Sequence, residues 1–211
     1  MVKMSPQEAL QRLAQLDVSH ELFRRVLGSA AVDVSGCTDF DAPAMPGTLF
    51  WSRTNRYLAE ELTPKGWKHT RRDSILRVIH PTATHAITAL SAEGGVGNPK
   101  KPVRSKNPKG RAMAALVEKN GQFPIITRDE VLYGRELDQI PLWCLLYKRK
   151  EGGGLEAELS LPVGMHGKYI NEWNERIPIN LSGLDDPGVD IALLDDPGPG
   201  DQSPEVLVEM L

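Results

Sequence analysis

The sequence has little cysteine, no long apolar run and no apolar stretch at its start. Its two cysteines, Cys37 and Cys144, lie far apart and form no Cys-x-x-Cys pair, which excludes a disulfide framework and favours a reducing cytoplasm. No apolar run approaches the roughly 20 residues that cross a bilayer, so we expect no membrane partner. Residues 1–8 contain no apolar core of a signal peptide, which argues against secretion.

The motifs of several enzyme classes are also missing. There is no phosphate-binding G-x-x-x-x-G-K-[ST], no dinucleotide fingerprint, no G-x-S-x-G nucleophile elbow and no Cys–His arrangement. His80 and His85 flank one turn and could face each other, but no further metal ligand stands at a recognisable spacing. Cys144 has apolar neighbours and is expected in the core. The sequence therefore predicts no cofactor and no metal, and it leans away from an enzyme.

The most informative feature that is present is the separation of charge along the chain. Six basic side chains and no acid lie between Gly94 and Arg111, namely Lys100, Lys101, Arg104, Lys106, Lys109 and Arg111. From Pro178 onward there is no Lys or Arg but there are eight acids, so this end carries about −8 and the rest of the chain about +5. A basic loop on a folded body, with an acidic tail that can compete for it, is typical of an anion-binding surface.

This basic loop is expected to lead into a helix. Asn107-Pro108 can cap that helix, and backbone N–H groups and the helix dipole attract anions at such an end. Lys106, Lys109 and Arg111 could then meet one phosphate together, with Gly110 allowing close approach of the backbone. No aromatic residue interleaves with these charges, which favours contact with a phosphate backbone over stacking of single-stranded bases.

A second basic pair, Arg71 and Arg72, could extend the same surface. The simpler interpretation is a pair of solvated charges at a strand end, and the sequence leaves both open.

Helix signals dominate the first third of the chain, and strand signals follow. Ser5-Pro6-Gln7-Glu8 reads as a capping box, and further helices are predicted over about 19–31 and 48–62. Two β-hairpins are predicted, 75–80 with 85–91 and 142–148 with 155–161, and 177–181 can add an edge strand in which Pro178 is tolerated. The predicted fold is α+β, with N-terminal helices packed on an antiparallel sheet built from two β-hairpins, in a single domain over 1–181.

The strand over 155–161 alternates strictly between apolar and polar side chains. Glu156, Glu158 and Ser160 share one face, which is predicted to be exposed to solvent while the other face is buried. Two carboxylates on one face could also bind a divalent metal, as nuclease carboxylates do. The lysine that commonly follows such an acid two residues later is absent here.

Residues 182–211 are predicted to form a flexible, acidic, Pro/Gly-rich tail. Leu184-Asp-Asp-Pro-Gly returns as Leu194-Asp-Asp-Pro-Gly, and large apolar residues are too few for the segment to order itself. The last stretch, 206–211, is apolar and could dock on a partner or on the chain's own body.

Several short stretches of the body together resemble an uncharacterised family of bacterial proteins associated with prophages, plasmids and other mobile elements. These stretches are Trp51-Ser-Arg-Thr, Gly66-Trp67, Pro108-Lys-Gly, Leu142-Trp-Cys-Leu-Leu-Tyr and Ala157-Glu-Leu-Ser-Leu-Pro. The resemblance covers about residues 5–180 and leaves out the tail. It implies a bacterial cytoplasmic setting and mobile-element or defence biology, and it brings no activity and no site residue.

The leading hypothesis is a non-enzymatic accessory protein that binds nucleic acid or another polyanion through the basic loop and is regulated by its acidic tail. The first alternative is a protein-interaction module of a toxin–antitoxin, defence or mobile-element system, with 206–211 as the docking element. The second alternative is a metal-dependent nuclease that uses Glu156 and Glu158.

Overall fold

The computed structural model describes residues 4–122, 139–150, 154–182 and 184. Within them the helices are α1 (Pro6–Gln15), α2 (His20–Val34), α3 (Met45–Leu62) and α4 (Arg111–Gly121), with a short 3-10 helix at Thr63–Lys65. The strands are β1 (Lys68–Arg72), β2 (Ile75–Ile79), β3 (Ala86–Gly94), β4 (Val103–Ser105), β5 (Leu142–Arg149), β6 (Leu155–His166) and β7 (Tyr169–Ile179). Of the tail predicted over 182–211, only Ser182 and Leu184 are described, and its 206–211 stretch lies outside the described residues.

The first two helices begin at the caps that the sequence predicts. The Ser5 hydroxyl accepts the Glu8 N–H at 3.2 Å, and the Glu8 carboxylate accepts the Ser5 N–H at 2.6 Å, which completes a capping box. Ser19 caps α2 by accepting the N–H of Leu22 at 3.2 Å. These bonds satisfy donors that have no partner inside the helix, so they fix where each helix starts.

The strands form one mostly antiparallel sheet, which confirms the α+β prediction. The strand order is β1-β2-β3-β5-β6-β7, and β4 pairs with the end of β3. The two predicted hairpins are β2–β3 and β5–β6, and they are joined by a parallel pairing of β3 with β5 that runs from Ala86 opposite Leu142 to Ser91 opposite Tyr147. The predicted edge strand is the end of β7, where Pro178 lies opposite Glu158.

A helix side chain replaces a neighbouring strand in the middle of β3. The Asn55 amide, on α3, accepts the Ala89 N–H at 3.0 Å and donates to the Ala89 carbonyl at 3.1 Å, so it bonds both backbone groups of one strand residue. Trp51 adds a bond from its indole N–H to the same carbonyl at 3.2 Å. Asn55 is buried, and these bonds satisfy polar groups that would otherwise be costly to bury.

The sheet is covered on both faces. One face carries Val78, Ile87, Leu145 and Leu159 and packs against α1, α2 and α3. The opposite face packs against α4 in a second apolar cluster, which includes Ile79, Leu90, Val96, Val103, Met113, Leu116, Leu142, Leu146, Ile170 and Trp173. The predicted core position of Cys144 is confirmed, because its side chain is fully buried on this second face.

The prediction that Glu158 and Ser160 face solvent is wrong. Both side chains are 0 % exposed, because the face that they occupy is covered by the chain between β3 and β4. Glu156, nearer the start of β6, is only half-buried and pairs with Lys148 at 3.1 Å. Alternate side chains of this strand therefore enter two different buried environments. Those on one face join the apolar core under α1–α3, and Glu158 and Ser160 on the other face join a polar network.

Candidate anion-binding surface

A buried ion pair lies beneath the basic loop. The Arg176 Nε donates to Glu158 Oε1 at 2.8 Å, and its Nη2 donates to Glu158 Oε2 at 2.7 Å. The two side chains are 3 % and 0 % exposed. A buried charge is tolerated only where it is paired and hydrogen-bonded, and here the pairing is bidentate.

The remaining bonds of this pair tie the loop to the sheet. Arg176 donates to the Lys101 carbonyl at 2.7 Å and to the Gly95 carbonyl at 2.9 Å. The Glu158 carboxylate accepts the Gly97 N–H at 2.8 Å and the Ser160 hydroxyl at 2.7 Å. Each carboxylate oxygen thus accepts two donors, and both ends of the loop's backbone are held from below.

The loop from Gly94 to Pro102 is pinched at its neck, which explains two of its glycines. The Gly95 N–H bonds to the Pro102 carbonyl at 2.8 Å. A Cβ on Gly94, whose φ is +89°, would lie 2.5 Å from that carbonyl oxygen. A Cβ on Gly95 would collide with the side chain of Lys101. Glycine permits this close approach of two backbone segments, and other residues would force them apart.

This anchoring leaves the basic side chains of the loop on its outer surface. Lys100 and Lys101 are exposed, since Lys101 uses only its backbone carbonyl to meet Arg176. Arg104 is exposed on β4, where it pairs with Glu93 and stacks over the ring of Tyr169 at 4.7 Å. The loop therefore presents two lysines to solvent and one arginine that already has an acidic partner.

The basic loop leads into α4 as predicted, but the cap is a different residue. Gly110 is the N-cap, with an extended backbone and no side-chain cap, whereas Asn107 and Pro108 precede it. The physical reason is that Lys109 donates its backbone N–H to the Lys168 carbonyl at 2.7 Å, which holds this stretch extended against the β6–β7 turn. Arg111 is the exposed first residue of α4.

Lys106 and Lys109 are less available than the sequence suggests. Both side chains are half-buried, and both make interactions within the protein. The charge of Lys109 also acts on Cys144. Burial raises the pKa of that thiol to about 12, and Lys109 offsets only part of the effect, so Cys144 stays protonated at neutral pH.

Two residues of the surface were missed by sequence reasoning. Lys168 is exposed and Tyr169 half-buried at the β6–β7 turn, and the contacts to Lys109 and Arg104 bring both to the basic loop. The signal for this turn is Gly167, whose φ of +58° suits a tight hairpin, but nothing in the sequence indicates which loop it meets. The surface therefore includes one aromatic ring that the loop's own sequence lacks.

Arg71 and Arg72 occupy a different part of the sheet. They are exposed at the end of β1, the edge strand of a β1–β2 hairpin that the sequence did not predict. The strand order separates β1 from β7 by β2, β3, β5 and β6, and Arg72 lies 3.8 Å from the neighbouring Asp73. The structure places the basic loop against β7, so this pair forms a second basic area rather than an anchored part of the loop.

His80 and His85 do face each other, as predicted. Their rings stack with centroids 4.9 Å apart, and the Trp67 ring meets both edge-on. Burial, followed by the charge of His80, lowers the pKa of His85 to about 4. Among the described residues, no group of three His, Cys, Asp or Glu side chains is placed to hold a metal ion.

Comparisons of the chain with protein-family models, with curated proteins and with solved structures find no match. In the part of the chain that the structure describes, no helix is both long and apolar enough to cross a membrane.

Proposed function

We propose that this protein binds nucleic acid, or another polyanion, through the surface formed by the basic loop, the start of α4 and the β6–β7 turn. The observation that carries the proposal is the buried Arg176–Glu158 pair, which fixes the loop's backbone from below. A loop that is already ordered loses less conformational entropy when it binds, so its charges act as a preformed array.

The exposed charges suit phosphate groups. Lys100, Lys101, Arg111 and Lys168 are exposed, and the N-terminal N–H groups of α4 lie beside Arg111 without a side-chain cap. Such contacts hold a phosphate backbone without reading bases, so we expect weak sequence preference and a steep dependence of affinity on salt.

The acidic tail is proposed to regulate this binding by competing for the same charges. The last described residue is Leu184, which packs against the cluster between the sheet and helices α1–α3, whereas the basic loop lies on the opposite face of the sheet. The 27 residues that follow span up to about 90 Å when extended, which is enough to reach around a body of this size. We further propose, on the sequence resemblance alone, that this activity belongs to bacterial mobile-element or defence biology.

The nuclease alternative is not supported by the geometry. Both oxygens of Glu158 already accept two donors each, and the side chain is fully buried. No position on this carboxylate remains open to a metal ion.

The test is a titration of labelled single-stranded and duplex oligonucleotides over a series of salt concentrations. The site variant is Lys100→Glu/Lys101→Glu/Arg111→Glu, and the matched control is Lys65→Glu/Lys68→Glu/Arg71→Glu, which makes the same change in net charge near the β1 edge. We expect the site variant alone to lose affinity, with each lost phosphate contact lowering the slope of log affinity against log salt by roughly 0.7–0.9.

The other results have equally definite meanings. No binding by the unaltered protein at low salt refutes the proposal, and loss of binding in the control variant alone moves the site to β1. Removal of 185–211 should raise affinity most at low salt, where screening is weak. An unchanged affinity in that truncation refutes regulation by the tail while leaving the surface in place.

A protein-interaction module remains the second candidate because of one further observation. Phe40, in the connection between α2 and α3, is 100 % exposed, and Met45 at the start of α3 is 42 % exposed. Large apolar side chains that protrude in this way are common anchors of protein interfaces. If this candidate holds, Phe40→Ser should abolish co-purification of a host protein that survives in Arg56→Ser.

A further inference from the structure

Arg104 and Tyr169 form a stacked pair beside the basic loop. The guanidinium carbon of Arg104 lies over the Tyr169 ring, 4.7 Å from the ring centroid. The arginine side chain is 51 % exposed, so much of it remains open to solvent although the tyrosine ring lies against it. A guanidinium group is planar, and aromatic rings stack on its faces. The pair therefore presents a surface on which a further planar group can stack.

The backbone on both sides of Arg104 is bonded to β7. The Trp173 indole N–H donates to the Val103 carbonyl at 3.0 Å, and the Ile170 N–H donates to the Ser105 hydroxyl at 3.1 Å. Val103 and Ser105 are both buried, and Ile170 directly follows the stacked tyrosine. The two strands that carry the pair are thus tied together, so the pair is formed before any ligand arrives.

The acid opposite Arg104 makes this arginine a poor ligand for phosphate. Arg104 lies directly opposite Glu93 in the β3–β4 pairing, and its Nε contacts the Glu93 carboxylate. The carboxylate offsets the positive charge of the guanidinium and repels an anion that approaches the same place. An uncharged ring meets no such repulsion, so the pair suits a planar neutral group better than a phosphate.

Groups that suit a phosphate backbone lie next to the pair. Lys168 is exposed and precedes Tyr169, and the Lys109 N–H bonds the Lys168 carbonyl at 2.7 Å, which places the turn beside the start of α4. His166 is also exposed and lies opposite Tyr169 across this turn, so the two rings share one face of the hairpin. Planar side chains among exposed cations are typical of surfaces that bind single-stranded nucleic acid.

We propose that the Arg104–Tyr169 pair stacks an unpaired base, so that the basic surface binds single-stranded nucleic acid in preference to duplex. This inference rests on the proposed function and names the substrate class of the same surface. The bases of a duplex are paired and stacked on one another, whereas those of a single strand are free to stack on the protein. Stacking adds affinity with little sequence preference, because every base has a flat face.

The experiment compares two single-stranded oligonucleotides of equal length, one of mixed sequence and one made of abasic residues. Both carry the same phosphates, so the ratio of their affinities for the full chain measures what the bases contribute. We expect the unaltered protein to bind the strand with bases roughly tenfold more tightly. Arg104→Lys keeps the charge but loses the planar guanidinium group, so it should bring the ratio close to one. Arg71→Lys on β1 is the matched control and should leave the ratio unchanged.

Two variants of Tyr169 test whether the ring positions the arginine. Tyr169→Leu removes the ring on which Arg104 lies and should lower the ratio, whereas Tyr169→Phe keeps the ring and should preserve it. A general loss of stability would weaken binding of both strands together, so the ratio separates stacking from folding.

The remaining outcomes distinguish this inference from the proposed function. A ratio near one in the unaltered protein, or a ratio that Arg104→Lys leaves unchanged, overturns base stacking while binding through the basic surface stands. Tighter binding of a duplex of the same sequence overturns it as well. Absence of binding to every strand at low salt refutes the proposed function, and this inference with it.

Discussion

Replacing Glu158 by glutamine tests whether the buried ion pair holds the basic loop. Glutamine keeps the volume of the side chain but turns one acceptor oxygen into an NH2 donor. Each oxygen of Glu158 accepts two donors, so the new NH2 group faces two N–H or O–H groups whichever way it turns. The change also leaves the Arg176 charge buried without its partner, and breaking a buried pair in this way costs about 3–5 kcal/mol.

Urea unfolding followed by tryptophan fluorescence measures this free energy. A domain of this kind has a stability of about 5–15 kcal/mol, so the expected loss should shift the unfolding midpoint to a much lower urea concentration with little change in m-value. Glu156→Gln is the control on the same strand, because Glu156 is half-buried and its ion pair with Lys148 should contribute about 1 kcal/mol or less. Equal and small effects of the two substitutions would refute the anchoring role of Glu158.

The double variant Glu158→Gln/Arg176→Met tests how much of the loss comes from the interaction between the two side chains. Removing both charges relieves the unpaired ion, so the double variant should lose less stability than the two single variants together. The double variant still leaves the carbonyls of Gly95 and Lys101 without the arginine donor, so we expect it to be less stable than the unaltered protein. Additive losses would show that the two side chains act independently.

Three further outcomes are expected from other parts of the structure. Leu159→Ala, at a fully buried position of β6, should cost about 2–5 kcal/mol in urea unfolding, whereas Ser52→Ala on the exposed surface of α3 should cost little. His85 has its pKa lowered to about 4, so the unfolded chain binds the proton first and stability should fall by roughly 3 kcal/mol as the pH drops from 7.5 to 4; a His85→Gln variant with the same pH profile would contradict this. Gly95→Ala should destabilise the protein more than Gly36→Ala when both are measured by thermal unfolding, because a Cβ at Gly95 would collide with Lys101, whereas the nearest atom to a Cβ at Gly36 is the Asp33 carbonyl oxygen at 3.7 Å.

Local features of the fold could be predicted from the sequence, because their signals lie close together in the chain. The capping box at Ser5 and Glu8 needs four residues, and the β5–β6 hairpin is indicated by an apolar stretch and an alternating stretch on either side of a glycine-rich turn. The parallel pairing of β3 with β5 has no such local signal. It depends on residues far apart in sequence, and a parallel partner cannot be identified from the pattern of one strand.

The candidate site was predicted only in part for the same reason. The charges of the basic loop are contiguous, so its lysines could be found by inspection. The residue that anchors the loop could not be found in this way, because Arg176 bonds the backbone of Gly95 and Lys101 from a strand more than 70 positions later in the chain. Without knowledge of that arginine, a glutamate between two apolar residues indicates solvent, and so Glu158 was assigned to the wrong environment.

The parallel pairing of β3 with β5 makes the complete basic surface depend on contacts between residues that lie far apart in the chain. Both hairpins can close early through nearby contacts, but β3 and β5 meet only after the long connection 95–141 has been drawn together. The basic loop, β4 and α4 all belong to that connection. An unfolded chain therefore carries the charges without their arrangement, and we expect a ligand of the arranged surface to bind the native chain more tightly than the unfolded one. Such a ligand stabilises the folded protein by about 2.7 kcal/mol when its concentration is one hundred times its Kd, and the unfolding temperature rises accordingly. Melting curves recorded with different candidate polyanions would therefore report binding.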